Sequence, residues 1–241
     1  MARLVYGLQP VREAIRAHGA KLERVLTEGR NPTAEALGRY ATAQGANTVR
    51  VDRQELDRLT RGGKHQGVAA LGPELVLYGL DAFRMAEDTP LLVLDGITDP
   101  QNFGAAIRSA VGLGSGALLW AEHHSAPLTP ATFRASAGAV EHARLFRVRS
   151  VRSAIDRLDE LDVTTVLLDP GAPTPLADVD LRGPVAVVIG AEGEGVSRAV
   201  RRACRVLARL GMTGEVASLN ASVAAAVALY EVGRQRRAST P

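Results

Sequence analysis

The chain has 241 residues, 46% of them apolar and 23% charged, with a formal net charge of +3 and one cysteine, Cys204. That length accommodates one large α/β domain or two smaller ones, and a lone cysteine excludes an intramolecular disulfide and any Cys-x-x-Cys metal site. No apolar run approaches the roughly 20 residues of a membrane span, and the start Met1-Ala-Arg-Leu-Val-Tyr6 lacks the apolar core of a secretory signal, so a soluble, cytoplasmic protein is expected. The positive charge is almost all arginine, only Lys21 and Lys64 being lysines, which favours bidentate contact with phosphate. Aromatic residues make up 4% of the chain. They are too few for a base-stacking surface, so any contact with RNA is expected through phosphate and shape.

Residues 1–72 alternate helical and extended patterns and read as a small α/β module, with helices expected over 10–18, 33–44 and 54–59 and strands over 22–26 and 48–51. Pro10 sits in a helical first turn and Gly19 follows as a stop. The stretch Arg61-Gly-Gly-Lys-His-Gln-Gly67 sets basic groups on a flexible turn before a short strand, where they would meet a phosphate. Residues 1–80 hold 12 Lys and Arg against 8 Asp and Glu, an excess of four that surpasses the net charge of the whole chain. Residues 73–89, with Pro73, Gly79 and the polar Glu87-Asp88-Thr89, read as a linker.

From 90 to 241 the pattern becomes strand and helix in alternation. Strands are expected over 91–94, 117–120, 145–148, 164–168, 185–189 and 205–210, and helices over 102–113, 130–140 and 151–161. Such alternation implies a mostly parallel sheet covered on both faces, with ligands at the C-terminal ends of its strands. No internal repeat interrupts it.

Polar residues gather in three places. In the first, Asp95 and Gly96 end a buried strand, Asp99-Pro100 makes a turn, and Asn102 is expected to cap the helix that follows. Arg108 stands among Ala106, Ile107 and Ala110; either it converges with Asn102 on one pocket, or it snorkels to solvent while Asn102 only caps. In the second, the β-branched run Val185–Ile189 breaks into Gly190-Ala191-Glu192-Gly193-Glu194-Gly195, whose glycines permit positive φ or the close approach of a ligand. Glu192 and Glu194 lack partners at a cation-binding spacing, and His123-His124 and Glu141-His142 lack a third ligand, so these histidines read as surface or capping residues. No metal is expected. In the third, Ser218, Asn220 and Ser222 crowd the start of an alanine-rich helix whose Ala221, Ala224, Ala225 and Ala228 permit close packing, within the subunit or against another.

In this order and spacing the three segments resemble those of the SpoU family of RNA ribose 2'-O-methyltransferases, in the SPOUT superfamily. Asp99-Pro-Gln-Asn-Phe-Gly-Ala-Ala-Ile-Arg108 is similar to the family's first motif, Ile189-Gly-Ala-Glu-Gly-Glu-Gly195 to its second and Ser218-Leu-Asn-Ala-Ser222 to its third. Residues 1–72, with Tyr6-Gly-Leu-Gln-Pro10 and His65-Gln-Gly-Val68, resemble its substrate-binding domain, itself similar to an RNA-binding ribosomal-protein fold. The resemblance implies a C-terminal methyltransferase domain tied in a trefoil knot, an exception to the rule that chains avoid knots. It also implies S-adenosyl-L-methionine bound in the knot and a homodimer formed through that domain. The cofactor residues it implies are Ile189, Gly190, Ala191, Glu192, Gly193 and Gly195, with Leu210, Gly211, Met212, Ser218 and Leu219. The catalytic residues it implies are Asn102, Arg108, Glu192, Ser218 and Asn220. Gly211 departs from the proline that the family usually has before the methionine, which implies a more flexible edge to the cofactor site.

The implied chemistry is displacement by a ribose 2'-hydroxyl on the methyl of a sulfonium, for which the oxygen must be aligned and relieved of its proton. Proposals for the family make the arginine the base. A guanidinium with a pKa above about 12 holds its proton more firmly beside a phosphate, so Arg108 is expected to clamp phosphate and orient the ribose, with the proton leaving late to a phosphate oxygen. The N-terminal module resembles the ribosomal-RNA branch, whose members modify a guanosine of large-subunit (23S) rRNA or confer antibiotic resistance; a tRNA substrate is the alternative. Two other classes are an RNA-binding protein without catalysis and a nucleotide-dependent oxidoreductase. Against the latter stand the late position of the glycine loop, its carboxylates and the lack of G-x-G-x-x-G spacing.

Overall fold

The computed structural model describes residues 2–83, 89–191, 193–216 and 218–238. The chain opens with β1 (Arg3–Tyr6), α1 (Leu8–His18), β2 (Arg24–Glu28), α2 (Pro32–Ala43), β3 (Thr48–Val51), α3 (Arg53–Thr60), β4 (Val68–Gly72) and β5 (Leu77–Tyr78). It continues through β6 (Leu91–Leu94), α4 (Pro100–Gly112), β7 (Ala117–Ala121), α5 (Pro130–Ala135), β8 (Arg144–Val148), α6 (Val151–Glu160) and β9 (Thr164–Leu168). It closes with β10 (Thr174–Pro175), β11 (Val185–Ile189), α7 (Arg198–Ala203), β12 (Val206–Arg209) and α8 (Ala221–Ala238). The residues form two compact units: the chain up to Leu75 together with Leu128–His142, and Val76–Pro127 together with the chain from Ala143 onward.

The first unit is built on a sheet of order β1-β4-β2-β3, in which β4 runs antiparallel to β1 and β2 while β3 lies parallel to β2. α1 buries Pro10, Val11, Ala14 and Ile15, one face of a 3.6-residue period. Asn31 caps α2 by accepting from the N–H groups of Thr33 and Ala34, with Pro32 in the first turn, and Asp52 caps α3 through Glu55 N–H. Strand β1, which the sequence reading lacks, is only four residues long and pairs with a strand some seventy positions away.

The segment from 128 to 142 joins this unit through charge. The Glu141 side chain has no solvent exposure, accepts from both Arg3 terminal nitrogens at 2.7 and 2.6 Å, and lies 3.0 Å from His18 Nε2. The Arg3 guanidinium covers the Phe133 ring, Arg134 covers Tyr6 and donates to its hydroxyl, and His142 Nε2 lies 2.8 Å from Glu13. His142 is exposed, as expected of a surface residue, whereas the Glu141 carboxylate beside it is buried. A carboxylate is buried only when paired, and this one's partners lie 138 and 123 positions away, beyond any local pattern. The helix expected over 130–140 stops at Ala135, because Ala137 and Gly138 take φ of 50° and 85°; a Cβ at Gly138 would come within 2.8 Å of Pro10 Cα.

The second unit holds the mostly parallel sheet that the alternating pattern implies. Its eight strands run in the order β10-β12-β9-β11-β6-β7-β8-β5, and each pairing is parallel. β6 and β11 are buried at every position, as unbroken apolar runs require in a sheet covered on both faces. β5 and β10 are two residues each, too short to leave a periodic signal in stretches that read as linker and loop. α4 and α8 pack together, and α8 also lies on β11. Ala225 and Ala228 are fully buried within this chain, so the alanine face serves its own core, whereas Val223, Val227 and Tyr230 on the other face are 47%, 42% and 56% exposed. Among the described residues no helix is long and apolar enough to cross a membrane.

Candidate active site

Because the strands are parallel, their C-terminal ends share one edge of the sheet, and the loops after β6, β9, β11 and β12 gather there. The loop after β11 folds back on itself: Ala191 N–H donates to Gly195 O at 3.0 Å and Gly195 N–H to Ala191 O at 2.9 Å. Gly193 and Gly195 carry φ of 78° and 66°. A Cβ added at Gly190 would run into the Gly195 backbone, 2.7 Å from its carbonyl oxygen, so the turn closes only around glycine. Ser197 then caps α7, its Oγ accepting from Val200 N–H at 3.2 Å.

These loops and the start of α8 enclose a cavity of 710 Å³. Of the residues named from the sequence, Ile189, Gly190, Ala191, Gly193, Gly195, Leu210, Met212, Ser218 and Leu219 line it. Gly211 does not, although it lies inside a tight turn in which Met212 N–H donates to Leu210 O at 3.0 Å. Glu192 lies outside the described residues. The sequence reading missed the wall formed by Leu168, Asp169 and Pro170, and also Arg209 and Ala224. The loop after β9 carried the same signal as the one after β11, a polar break at the end of a buried parallel strand. Asp169 is held there by Gly171 N–H at 2.7 Å and by an ion pair with Arg201.

Asp99, not Asn102, caps α4. Its oxygens accept from Gln101 N–H at 3.1 Å and Asn102 N–H at 3.3 Å. The proline that follows pushes Asp99 into the extended conformation an N-cap needs and itself occupies the first helical turn. Asn102 thus has its side chain free of the capping role, and its Oδ1 accepts from Asn220 Nδ2 at 3.0 Å. Asn220 Oδ1 in turn accepts from Ser222 N–H at 2.9 Å and Ser222 Oγ at 2.7 Å, which caps α8. The structure therefore brings together Asn102, Ser218 and Asn220. It does not bring Arg108 to them, for this side chain is exposed on α4, lines neither cavity and has no hydrogen bond or ion pair among the described residues.

A second cavity of 560 Å³ adjoins the first and shares Ala191 and Gly195 with it. Asn102 lines this one, with Asp95, Thr98, His124 and Glu194. Burial raises the Asp95 carboxyl above its ordinary 3.8, against the pull of a hydrogen bond from Ser197 N–H. Cys204, half-buried behind α7, has its thiol pushed up to about 12, chiefly by burial and further by the charge of Asp95, with Arg152 opposing. Such a thiol is no nucleophile. Among the described residues no three His, Cys, Asp or Glu side chains gather to hold a metal.

The SpoU rRNA Methylase family model matches residues 89–230, and the model for RNA 2'-O ribose methyltransferase substrate binding matches residues 4–75. The chain belongs to the SpoU rRNA methylase family. A relative from Pseudomonas syringae pv. tomato, the 23S rRNA (guanosine-2'-O-)-methyltransferase RlmB, is 36% identical, with 97% of this chain and 96% of that protein covered. The SpoU methyltransferase AviRb from Streptomyces viridochromogenes has a similar structure, with a TM-score of 0.81 at 29% identity over 98% of this chain and 90% of that one. The structure of AviRb in complex with the cofactor AdoMet gives 0.78 at 28% identity, over 98% and 91% of the two chains. In this SpoU chain the first motif spans the Asp99 cap and most of α4, so that its asparagine faces a cavity while its arginine faces outward.

Proposed function

We propose that this SpoU-family chain transfers a methyl group from S-adenosyl-L-methionine to the ribose 2'-hydroxyl of a guanosine in 23S rRNA. The observation that carries the reading is the Asn102–Asn220 hydrogen bond, which stands between two adjoining cavities at the C-terminal edge of a parallel sheet. The first cavity suits the cofactor. Its 710 Å³ lies within the range of cofactor sites, and its wall at Gly190 is bare backbone closed against the backbone of Gly195, with no room for a side chain between them. Residues 189–195, Leu210 to Met212, Ser218 and Leu219 would hold it, with apolar Ile189, Leu210, Met212 and Leu219 against an uncharged nucleoside. When bound, the cofactor supplies a methyl made electrophilic by its sulfonium.

The chain's own residues do the rest. Asn102, Glu192, Ser218 and Asn220 are assigned to orienting the ribose and the cofactor. Arg108 clamps the phosphate next to the target, and the hydroxyl proton leaves late to a phosphate oxygen, since a guanidinium is too weak a base to take it. The N-terminal residues, with their excess of positive charge, hold the RNA by its backbone. Two further features belong to this reading: a trefoil knot around the cofactor loops, and a homodimer. The exposed stripe Val223, Val227 and Tyr230 supports the dimer, as does Arg108, which lines neither of these two cavities and would complete a site in a second copy. A ribosomal substrate places the protein in the cytoplasm.

The test is incubation of the full chain with labelled cofactor and either unmodified 23S rRNA or bulk tRNA, followed by mapping of ribose methylation. One 2'-O-methylguanosine in 23S rRNA is expected. Methylation of tRNA alone would overturn the substrate, and methylation of neither would overturn the activity.

A further inference from the structure

The second cavity adjoins the one assigned to the cofactor, and its lining is richer in carboxylates, with Asp95, Asp99 and Glu194. It opens beside Asn102, whose partner Asn220 lines the first cavity, so a ribose held at this pair would direct its base into the space bounded by Asp95, Ile97 and His124. At 560 Å³ that space has room for a nucleobase. Asp99 and Glu194 also line it, and an acidic wall repels phosphate, so the base is the part of a nucleotide suited to enter.

Asp95 is fixed there by its surroundings. Its backbone N–H donates to Ile189 O at 2.9 Å, anchoring it at the end of the buried strand β6. Its carboxylate accepts from Ser197 N–H, and a carboxylate has about four lone-pair positions, which leaves acceptors for two more donors. Asp99, by contrast, spends both oxygens on the α4 cap. His124 is held at the rim in a left-handed conformation, φ 59°, on a loop pinned by Ala126 N–H donating to Ile97 O at 2.8 Å. A non-glycine residue kept in that region marks a place where the loop geometry is imposed.

We propose that the second cavity receives the base of the target nucleotide and that Asp95 is the residue that selects guanine. This rests on the methyltransferase reading above. Guanine presents two adjacent donors, N1–H and the N2 amino group, on the edge that a carboxylate can accept from side by side. Adenine and cytosine present a ring acceptor there, and uracil a single donor between two carbonyls, so each would leave a half-buried carboxylate facing lone pairs. Sites built to pair a polar edge reject the mismatched analogue because their own groups are left unpaired.

The experiment uses the full chain and a stem-loop RNA cut around the guanosine that it methylates, made with guanosine, inosine or adenosine at that position. One good bidentate pair is worth about 10- to 100-fold in discrimination. The unmodified protein is expected to favour guanosine over inosine, which lacks the amino group, and over adenosine. Asp95→Asn is expected to lose about 10- to 100-fold in kcat/KM on guanosine and to lose the preference over inosine, with cofactor affinity by calorimetry unchanged. Asp95→Ala, which introduces no amide donor, is expected to lose the same preference. Retention of the guanosine preference by both variants would overturn the assignment. So would a loss of cofactor affinity in step with activity, which would mean that Asp95 acts by holding the Ser197 loop. A protein that binds the cofactor yet methylates no ribose would sink the reading beneath the assignment, and is told apart because it fails before any substitution.

Discussion

Asn220 Nδ2 donates to Asn102 Oδ1 at 3.0 Å across 118 positions of sequence, and the two residues line different cavities. The bond fixes the side chain of the first motif to that of the third, so neither rotates independently. Asn102→Ala removes the acceptor while leaving the α4 cap on Asp99 and the α8 cap on Asn220 in place. The expected loss of stability from the bond to Asn220 is about 1 kcal/mol. Misplacing a reacting group costs far more, about 10²-fold in rate. Single-turnover methylation should fall by that order while calorimetric cofactor affinity changes much less; an unchanged single-turnover rate would remove Asn102 from the site.

Arg108 separates charge from shape. Its guanidinium is exposed and unpaired among the described residues, so replacement should change stability by no more than about 0.5 kcal/mol. Arg108→Ala should weaken RNA binding and lower the slope of log affinity against log salt by about one. Arg108→Lys keeps the charge and the slope but loses the planar fork, so partial activity is expected. Full activity of the lysine variant would show that only the charge matters.

The longer strands of the large sheet were legible as short, mostly apolar runs, and β6, β9 and β11 fall where the pattern puts them. What escaped is what depends on distant partners. Asn102 looked like the cap because polar residues before a helix usually cap it, and the stronger candidate, an aspartate immediately before a proline, stood three places earlier. The buried pairing of Glu141 left no local signal because Arg3 and His18 are remote in sequence. The second cavity left no local signal because its lining joins residues 95–102 to His124 and to residues 194–197, remote from one another in sequence.

Asp95 gives a pH signature. Burial holds its folded carboxyl above 3.8, so the charged form is disfavoured by folding. The residue's contribution to stability is therefore full below 3.8 and is lost as pH rises through the folded value. Asp95→Asn, neutral at every pH, should be more stable than the unmodified protein at about pH 7, with the gain vanishing as the pH falls toward 4. Urea midpoints over that range measure it, and a variant less stable at neutral pH would refute it.

The α8 stripe tests the dimer. Val227, 42% exposed between Val223 and Tyr230, contributes little to its own core, so Val227→Glu should leave the fold intact. Desolvating a carboxylate at an apolar interface costs several kcal/mol, enough to dissociate a dimer of ordinary affinity. Sedimentation should show the mass of the unmodified protein halved in the variant, with methylation lost if Arg108 serves a second copy. An unchanged mass would place the interface elsewhere or remove it.

Glu141 carries the ion pair that seats the segment 128–142 in the first unit, and its side chain has no solvent exposure while that of Arg3 has 7%. Removing one partner of such a pair strands the other, at about 3–5 kcal/mol. Glu141→Ala should lower the unfolding free energy by that amount in urea titrations. Replacing both, as Arg3→Met with Glu141→Leu, should recover most of the loss, since an apolar pair of similar volume avoids the desolvation cost. Cofactor affinity should be unchanged in both variants, because the cavity of 710 Å³ is lined wholly by the second unit. If Glu141→Ala were neutral, the carboxylate would have to be solvated in solution, and the segment would be joined to the first unit by the His142–Glu13 and Arg134–Tyr6 contacts, the Arg3–Phe133 stacking and apolar packing.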